Sequence, residues 1–430
     1  MNMAQLKAAV LAERFDDALG LLDMTEHRLS AESRRNMAQV CREIAADKGF
    51  GKAVELVIGL SRKLGFLIAD PEIDVLQTIE VPMQSGSAIA RLEFNPRRAA
   101  RGDIKSLTAH GIIDPGAPED SWMYEKWSPD RKGNGSPLVL SAYGWGRKQQ
   151  DSIKCFLCSG LGEDREKPVN PNEIFIVCEG PDGPVYAGCN FAALAPYHMT
   201  AFRKEPYQQA VDQSTLGRTL AILDNLQKGC DPAKGPFTVI HNGDLICRVT
   251  GDGKTKMVGV GATLMHDHNQ FMRSDLPMAR AGTVFGRDAV GLKLAVLDWA
   301  SSVIRVEGGV EKRAALLEQT NRIIAAWQKK NPENTSNLIV TRRERTDVVF
   351  VALRRIGMVD APEKSCVASL EQSGIIVLDD RPVFEKYLAA TAGERLKFVT
   401  GVLACVDPVL KDAGGSEEKR SEELKKMIGA

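Results

Sequence analysis

The chain has 430 residues and equal numbers of basic and acidic side chains, 56 of each, so its formal charge at neutral pH is zero. A protein that binds extended nucleic acid usually carries a basic excess to neutralise phosphates, and the composition argues against that class. Apolar residues make up 43% and charged residues 26%, which is typical of a folded globular protein and excludes a disordered one. The length fits about three domains, or one large domain with additions.

Nine cysteines are scattered along the chain, and the first twenty residues carry charges throughout instead of the apolar core of a secretory leader. The sequence contains no run of about 18 apolar residues, so no membrane span is predicted. An odd number of dispersed thiols is typical of a reducing compartment. We therefore expect a cytoplasmic protein with free thiols.

Apolar residues recur every three to four positions over residues 4–66, and this spacing predicts two or three amphipathic helices. The pattern then changes to alternating or β-branched residues over 76–83 and 88–94. These two segments flank the sequence Gln84-Ser85-Gly86-Ser87 and predict paired strands. A helical N-terminal region, residues 1–75, therefore precedes the sheet-forming part of the chain.

Residues 95–137 are rich in Arg, Pro, Gly and Asp and predict a loop with short helical turns. From 138 to about 270, short apolar runs bounded by Gly, Pro and Asn predict a mainly antiparallel sheet, which one helix over 211–227 interrupts. The remaining predicted elements, in chain order, are a helical region over 286–330, two strands within 337–353, a strand over 375–378 and a helix from about 382. Because helices and antiparallel strands occur in separate runs, we expect an α+β fold.

Cys155 and Cys158 are separated by two residues, a spacing that lets two thiolates reach one tetrahedral zinc ion from a turn. The sequence has no second pair of this kind, so any further ligands would be histidine or carboxylate. Spacing alone leaves two alternatives open. The cysteines could be plain buried thiols, or a redox pair, which would need a helix start in a thioredoxin-like unit.

The sequence His266-Asp267-His268-Asn269-Gln270 is the strongest chemical signal in the chain. On a strand, residues 266, 268 and 270 face the same way because side chains alternate with a period of two. Three polar groups on one face are costly to bury unless they are used. An imidazole can attack phosphorus directly and carry it as a covalent intermediate. The alternative is a pair of satisfied surface histidines.

Two further elements lie upstream of these histidines, Asn242-Gly243 and Gly261-Ala262-Thr263. Together with His266-x-His268-x-Gln270 they resemble the nucleotide-binding signature of the histidine triad (HIT) superfamily. The most similar branch is that of galactose-1-phosphate uridylyltransferases, diadenosine tetraphosphate phosphorylases and GDP-L-galactose phosphorylases. Shorter islands of similarity extend over about 90–395, and one of them is the Phe-Asn-Pro-Arg-Arg sequence that ends at Arg98.

The resemblance implies a HIT/uridylyltransferase-like antiparallel sheet with flanking helices. On this basis the catalytic domain is expected over 76–300, and C-terminal helices and strands over 301–410 are expected to complete the fold. Residues 411–430 are expected to be a charged, mobile tail.

The resemblance also implies roles for single residues. His268 would be the nucleophile that takes up a nucleoside monophosphate, and Gln270 would hydrogen-bond the phosphoryl oxygens. Asn242, Gly261 and Thr263 would line the phosphate side, because small residues let backbone amides approach a ligand. By its place in the Phe-Asn-Pro element, Arg98 would contact the phosphates of the substrate.

In the uridylyltransferases two cysteines, a downstream histidine and the first histidine of the signature share a zinc ion. This pattern implies a zinc site of Cys155, Cys158, His198 and His266, with His266 belonging to the catalytic signature as well. Four protein ligands close a zinc site, so the ion would be structural. His198 equally matches another residue of the superfamily, the histidine in the Pro-x-Gly-His strand of small triad proteins.

The function that the resemblance implies is that of a nucleotidyltransferase or phosphorylase with a nucleotidyl-histidine intermediate. Its substrate would be a nucleotide sugar or a dinucleoside polyphosphate, and its acceptor phosphate or a sugar phosphate. No organic cofactor, nucleic acid or membrane partner is expected, and a homodimer is a candidate assembly.

Three other functions stay open. A hydrolase of the same fold would let water take the nucleotide, although the family's hydrolases have a third histidine where this chain has Gln270. A catalytically inactive, zinc-stabilised nucleotide-binding or regulatory protein would keep the fold alone. A thiol-disulfide protein would use Cys155 and Cys158.

The zinc site can be tested by metal analysis of the purified protein. The wild-type chain is expected to contain zinc and Cys155→Ser to lose it, because three ligands hold the ion less tightly than four. A wild-type chain free of zinc after purification without chelators would rule out the predicted zinc site.

Overall fold

The computed structural model describes residues 2–97 and 174–429, apart from short gaps. The gaps are residues 26–27, 68–69, 73, 75, 85, 191–192, 204–208, 210, 244–245, 252–253, 260–266, 357, 359–360, 362, 365–366 and 379.

Four helices form the N-terminal layer, and two short strands pair between the second and third of them. Their bounds are α1 Met3–Leu11, α2 Phe15–Gly20, β1 Met24–Thr25, β2 Arg28–Leu29, α3 Ala31–Lys48 and α4 Phe50–Lys63. Ser30 caps α3, since its hydroxyl accepts a hydrogen bond from the Ser33 N–H. α4 is apolar around most of its circumference and is therefore buried among its neighbours. These elements confirm the helices predicted over 4–66.

The turn between α3 and α4 depends on Gly49, whose φ is 96°. A Cβ atom there would collide with the backbone of Lys228, which follows helix α5, Thr215–Gln227. The N–H of Gly51 donates to the Lys228 carbonyl over 2.9 Å. Glycine permits this close approach. The N-terminal layer therefore docks directly onto α5, the helix that also supports the candidate site described below.

A ten-stranded antiparallel sheet forms the middle layer of the molecule. Its spatial order is β12-β13-β14-β16-β15-β8-β11-β7-β6-β5. The bounds are β5 Ile176–Gly180, β6 Gly183–Cys189, β7 Met199–Arg203, β8 Phe237–His241, β11 His268–Arg273, β12 Thr283–Ala289, β13 Leu292–Leu297, β14 Val303–Gly309, β15 Asn334–Arg343 and β16 Thr346–Arg355. A separate hairpin joins β9, Ile246–Gly251, to β10, Lys254–Gly259. The sheet confirms the strands predicted within 337–353.

The sheet consists of two halves with the same topology. In each half three strands are followed by a helix and two more strands, and the fifth strand lies between the third and the fourth. The helices are α5 in the first half and α6, Arg313–Lys330, in the second. The halves meet where β8 pairs with β15. The sequence shows no internal repeat, so this duplication is visible only in the structure.

The strand register matches each strand of one half to a strand of the other. The hairpin β5–β6 corresponds to β12–β13, with Gly183 equivalent to Leu292. Following the paired residues from there across the sheet matches β11 to β16. Phe350 then occupies the position of His268, and Ala352 that of Gln270. The predicted catalytic pair thus has apolar counterparts in the second half, so these positions provide one histidine site per chain.

A smaller sheet and the C-terminal helices form the third layer. The sheet order is β17-β4-β3, with β3 Gln77–Pro82, β4 Ile89–Phe94 and β17 Ile375–Val377. The helices are α7 Ser369–Gln372, α8 Arg381–Ala389, α9 Ala392–Cys405, α10 Pro408–Asp412 and α11 Glu417–Met427. β3 and β4 pair, as the sequence predicts, and they are antiparallel, whereas β17 runs parallel to β4.

Two apolar cores lie on opposite faces of the ten-stranded sheet. The first contains side chains of the N-terminal helices, α5 and α6, and the second contains those of the small sheet, α8 and α9. Alternate residues of one strand therefore enter different cores, so that Phe271 of β11 lies in the first and Met272 in the second. The α+β fold is confirmed.

Two predictions about the C-terminal half are wrong. The first half of the helical region expected over 286–330 is β-sheet, because β12, β13 and β14 cover 283–309. Short apolar runs with β-branched residues fit a buried strand as well as a helix. The tail expected to be mobile contains α11, whose Leu424 is buried in the first core.

No helix in the described part of the chain is long and apolar enough to cross a membrane.

Four charged side chains connect the two halves of the sheet behind the β8–β15 pair. Arg313 and Arg342 each contact both Asp224 of α5 and Asp347 of β16, and the Arg342 Nε–Asp347 Oδ1 distance is 2.6 Å. Burial alone would raise the pKa of the Asp224 carboxyl, but the two guanidinium groups hold it below its ordinary value. Asp347 is fully buried, and these two arginines are its charged partners.

Replacement of Asp347 should therefore destabilise the fold. In Asp347→Ala two arginines lose a buried partner, and we expect the free energy of unfolding to fall by about 3 kcal/mol. The midpoint of urea unfolding measures the change. Glu318→Ala is the control: it removes the exposed pair with Arg322, whose loss should cost at most about 1 kcal/mol. Equal effects of the two substitutions would contradict the prediction.

Candidate active site

The candidate site lies where β8 and β11 separate. Their ladder runs from Arg273, opposite Phe237, to Gln270, opposite Ile240, and ends there. On its other side β11 stays paired with β7 as far as His268, opposite Phe202. His268 and Gln270 are on the face of the second core, as their spacing predicts, and Asp267 and Asn269 are on the opposite face. His268 is buried, with 4% of its surface exposed.

A chain of hydrogen bonds fixes the orientation of the Gln270 side chain. The backbone N–H of Leu194 donates to Nδ1 of His198 over 3.1 Å, so this nitrogen carries no proton. Nε2 of the neutral ring is then the protonated nitrogen, and it donates to Oε1 of Gln270 over 2.9 Å. Because the amide oxygen of Gln270 accepts from His198, the amide nitrogen of Gln270 points the other way and can donate hydrogen bonds.

The two residues between the signature positions anchor β11 to α5. Asp267 accepts from Nε2 of His241 over 2.7 Å and from Arg218 over 3.1 Å, and Asn269 accepts from the Thr219 hydroxyl over 2.9 Å. Burial would raise the pKa of the Asp267 carboxyl, but His241 first, and Arg218 and His268 after it, hold that pKa below its ordinary value. Asp267 is therefore an anionic anchor behind the histidine strand.

Beyond the end of β8, Asn242 and Gly243 leave the ladder for other partners. The Asn242 Oδ1 atom accepts from the backbone N–H of Ser369 over 3.1 Å and also from the Ser369 hydroxyl. The N–H of Gly243 donates to Oδ1 of Asn337 over 3.1 Å. A Cβ atom on Gly243 would collide with Thr335 and the Ser336 carbonyl. The Asn-Gly sequence thus directs the chain away from β11, and the β8–β11 ladder therefore ends beside His268.

The structure brings together four of the residues that the sequence singles out. His268, Gln270, His198 and Asn242 surround the end of the β8–β11 ladder. The other predicted site residues lie outside the described residues: Arg98, Cys155, Cys158, Gly261, Thr263 and His266. The phosphate-side role of Asn242 stays a prediction, and its side-chain oxygen already accepts hydrogen bonds from Ser369.

The zinc site stays a prediction too. His198 is its one ligand within the described ranges, and both ring nitrogens of His198 make hydrogen bonds, so zinc would have to displace one of them. No group of three or more His, Cys, Asp or Glu side chains in the described part of the chain could hold a metal ion.

Three contacts of the site were not found from the sequence: those of Asp267 with Arg218 and with His241, and that of Gln209 with His268. Asp267 stands within the signature, and strand alternation places it on the rear face, but nothing in the sequence identifies Arg218 and His241 as its partners. Gln209, described below, has no motif around it. Contacts of this kind join residues far apart in the chain, and a single sequence carries no signal for them.

No protein-family model matches the chain, and no curated protein sequence matches it. Among solved structures it is similar to yeast Ap4A phosphorylase Apa2 in complex with AMP, at 12% identity and a TM-score of 0.44, over 87% of this chain and 96% of that one. The same enzyme in complex with Ap4A gives 13% identity and a TM-score of 0.44, over 85% and 97% of the two chains. Identity and score are both low, so these neighbours carry no argument about the reaction of this chain.

The depressed pKa of Asp267 predicts a pH-dependent contribution to stability. A carboxyl group whose pKa is lower in the folded state stabilises the fold fully above its unfolded pKa and loses this effect as the pH falls through the folded value. We expect Asp267→Asn to lower the stability by on the order of 3 kcal/mol at pH 7. The difference from wild type should shrink below about pH 4.

Urea midpoints of both proteins between pH 7 and pH 3 measure this difference. Asp288→Asn, on an exposed position of β12, is the control and should change the midpoint little at any pH. A difference between Asp267→Asn and wild type that is the same at every pH would contradict the prediction.

Proposed function

We propose that this chain is a nucleotidyltransferase, of the phosphorylase or sugar-phosphate transferase type, that uses His268 as its nucleophile. The observation that carries the proposal is the pairing of a strand-borne histidine with an amide of fixed orientation, His268 with Gln270, at the point where the β8–β11 ladder ends. The resemblance to the histidine triad signature supports the same chemistry. A nucleotide sugar or a dinucleoside polyphosphate is the proposed substrate.

The reaction would proceed by two displacements at the α-phosphorus. In the first, a ring nitrogen of His268 forms a P–N bond while the bond from phosphorus to the bridging oxygen breaks. In the second, an oxygen of phosphate or of a sugar phosphate attacks the same phosphorus, and the P–N bond breaks. The leaving group in the first step is a phosphate derivative, which departs as an anion and needs little help from an acid.

Gln270 would stabilise both displacements. Its amide N–H groups can donate to the non-bridging oxygens, where negative charge accumulates in the transition state. An amide does not supply a proton, so Gln270 would act by hydrogen bonding alone. His198 would keep this amide from turning over, because a flipped amide would place its N–H groups against the Nε2–H of His198. His198 is thus proposed to be a positioning residue.

The absence of an acid at Gln270 favours transfer over hydrolysis. A hydrolase benefits from a side chain that can exchange protons with water or a leaving group, as the third histidine of the family's hydrolases would. The inactive nucleotide-binding protein remains as an outcome of the experiment below. No step of the proposed reaction passes through zinc.

A covalent adduct is the direct test. On incubation with a panel of dinucleoside polyphosphates and nucleotide sugars, the wild-type chain is expected to gain the mass of one nucleoside monophosphate, because the P–N bond outlasts the departure of the first product. Intact-protein mass spectrometry measures the gain. His268→Asn should abolish it, whereas His27→Asn, in the N-terminal region, is the matched control and should retain it.

The fate of the adduct separates the alternatives. Release of a nucleoside diphosphate on addition of inorganic phosphate identifies a phosphorylase, and loss of the adduct in buffer alone identifies a hydrolase. An adduct that survives in His268→Asn would rule out His268 as the nucleophile. If no nucleotide gives an adduct or turnover, the chain is a binding protein instead.

A further inference from the structure

One rung of the β8–β11 ladder is missing beside His268. The register that sets Gln270 opposite Ile240 would set His268 opposite Asn242. In a regular antiparallel ladder every second pair of opposite residues exchanges two backbone hydrogen bonds, and His268 with Asn242 would be such a pair. Here Asn242 has turned towards Ser369, so the backbone groups of His268 on this side need another partner.

The side chain of Gln209 takes the place of this rung. Its Oε1 atom accepts from the His268 N–H over 2.9 Å, and its Nε2 atom donates to the His268 carbonyl over 3.3 Å. The same nitrogen donates to the carbonyl of Asn242. One amide therefore bonds both strands at the point where they separate. Gln209 is fully buried, so water does not compete for these bonds.

We infer that Gln209 is a positioning residue that fixes the peptide of His268 and keeps β8 apart from β11. Its reach across the gap sets the width of the opening, and its two bonds to His268 set the direction in which the imidazole leaves the strand. The inference about catalysis rests on the proposed function, whereas the contact itself does not.

Removal of the Gln209 side-chain amide can change the structure in two ways, and both disturb His268. Either the N–H and carbonyl groups of the two strands stay buried without partners, or β8 closes onto β11 and carries the peptide of His268 with it. A displacement of a reacting group by about 1 Å can lower a rate by about 10²-fold. Gln209→Met keeps the length and apolar volume of the side chain and removes only its hydrogen bonds.

The experiment uses the full chain labelled with ¹⁵N-histidine, which contains only six histidines. The backbone amide of His268 is assigned by its disappearance in His268→Asn, and its hydrogen exchange is followed by NMR. In Gln209→Met we expect this amide to exchange at least about 10-fold faster. The amide of His241, whose ring Nε2 lies 3.3 Å from the Gln209 amide nitrogen but whose strand pairs with β15 at this point, should change less than that of His268 and serves as the comparison.

The second measurement is the rate at which the nucleotidyl adduct forms in a single turnover. Gln209→Met is expected to lower this rate by about 10²-fold while the affinity for the nucleotide changes little. Gln328→Met is the matched control, because Gln328 also donates from its amide to a backbone carbonyl, that of Val211, just beyond Gln209 in sequence. It should leave both readouts unchanged.

Each outcome decides one statement. An unchanged exchange rate of the His268 amide in Gln209→Met overturns the contact, and faster exchange with an unchanged rate of adduct formation overturns the positioning role. If the wild type forms no adduct, the proposed function fails, and the exchange rate together with the ring ¹⁵N shifts of His268 still decides whether Gln209 holds this residue. If Gln209→Met does not fold, Gln209→Asn, whose amide is one methylene too short to reach both strands, replaces it.

Discussion

The two halves of the sheet meet along a single pair of strands, β8 and β15, whose backbones pair from Thr238 with Thr341 to His241 with Leu338. Without this pairing each half would end in an open edge, and an unpaired edge exposes a row of backbone donors and acceptors. β8 is also the neighbour of β11. The strand that joins the halves is therefore the strand whose departure creates the candidate site.

The two halves use the same topology for different purposes. In the second half, β16 carries apolar residues such as Phe350 and Ala352 at the positions of His268 and Gln270, and these residues enter the second core. In the first half, the equivalent positions are polar and need a shell of partners, because buried polar groups without partners are costly. The apolar half contributes packing, and the polar half can sustain chemistry.

The sequence predicted the class of fold and which of the candidate site residues share a face of their strand, but not how these residues are held. Residue periodicity identified the N-terminal helices and the hairpin within 337–353, and alternation placed His268 and Gln270 on one face. The strands within 283–309 were missed because apolar β-branched runs have no distinctive period. The contacts of Gln209 and His198 were missed because they join residues that are distant in sequence and depend on the register of the folded sheet.

The anchoring of β11 has a mechanical consequence. On its rear face Asp267 and Asn269 join β11 to α5, and on one edge its ladder with β7 continues to His268. On the other edge the ladder with β8 has ended, and two side-chain contacts connect β11 to the end of β8, the amide of Gln209 and the bond from His241 to Asp267. The compliance of the sheet is therefore concentrated on one side of His268. If the end of β8 were displaced, β11 would still be held by β7 and α5.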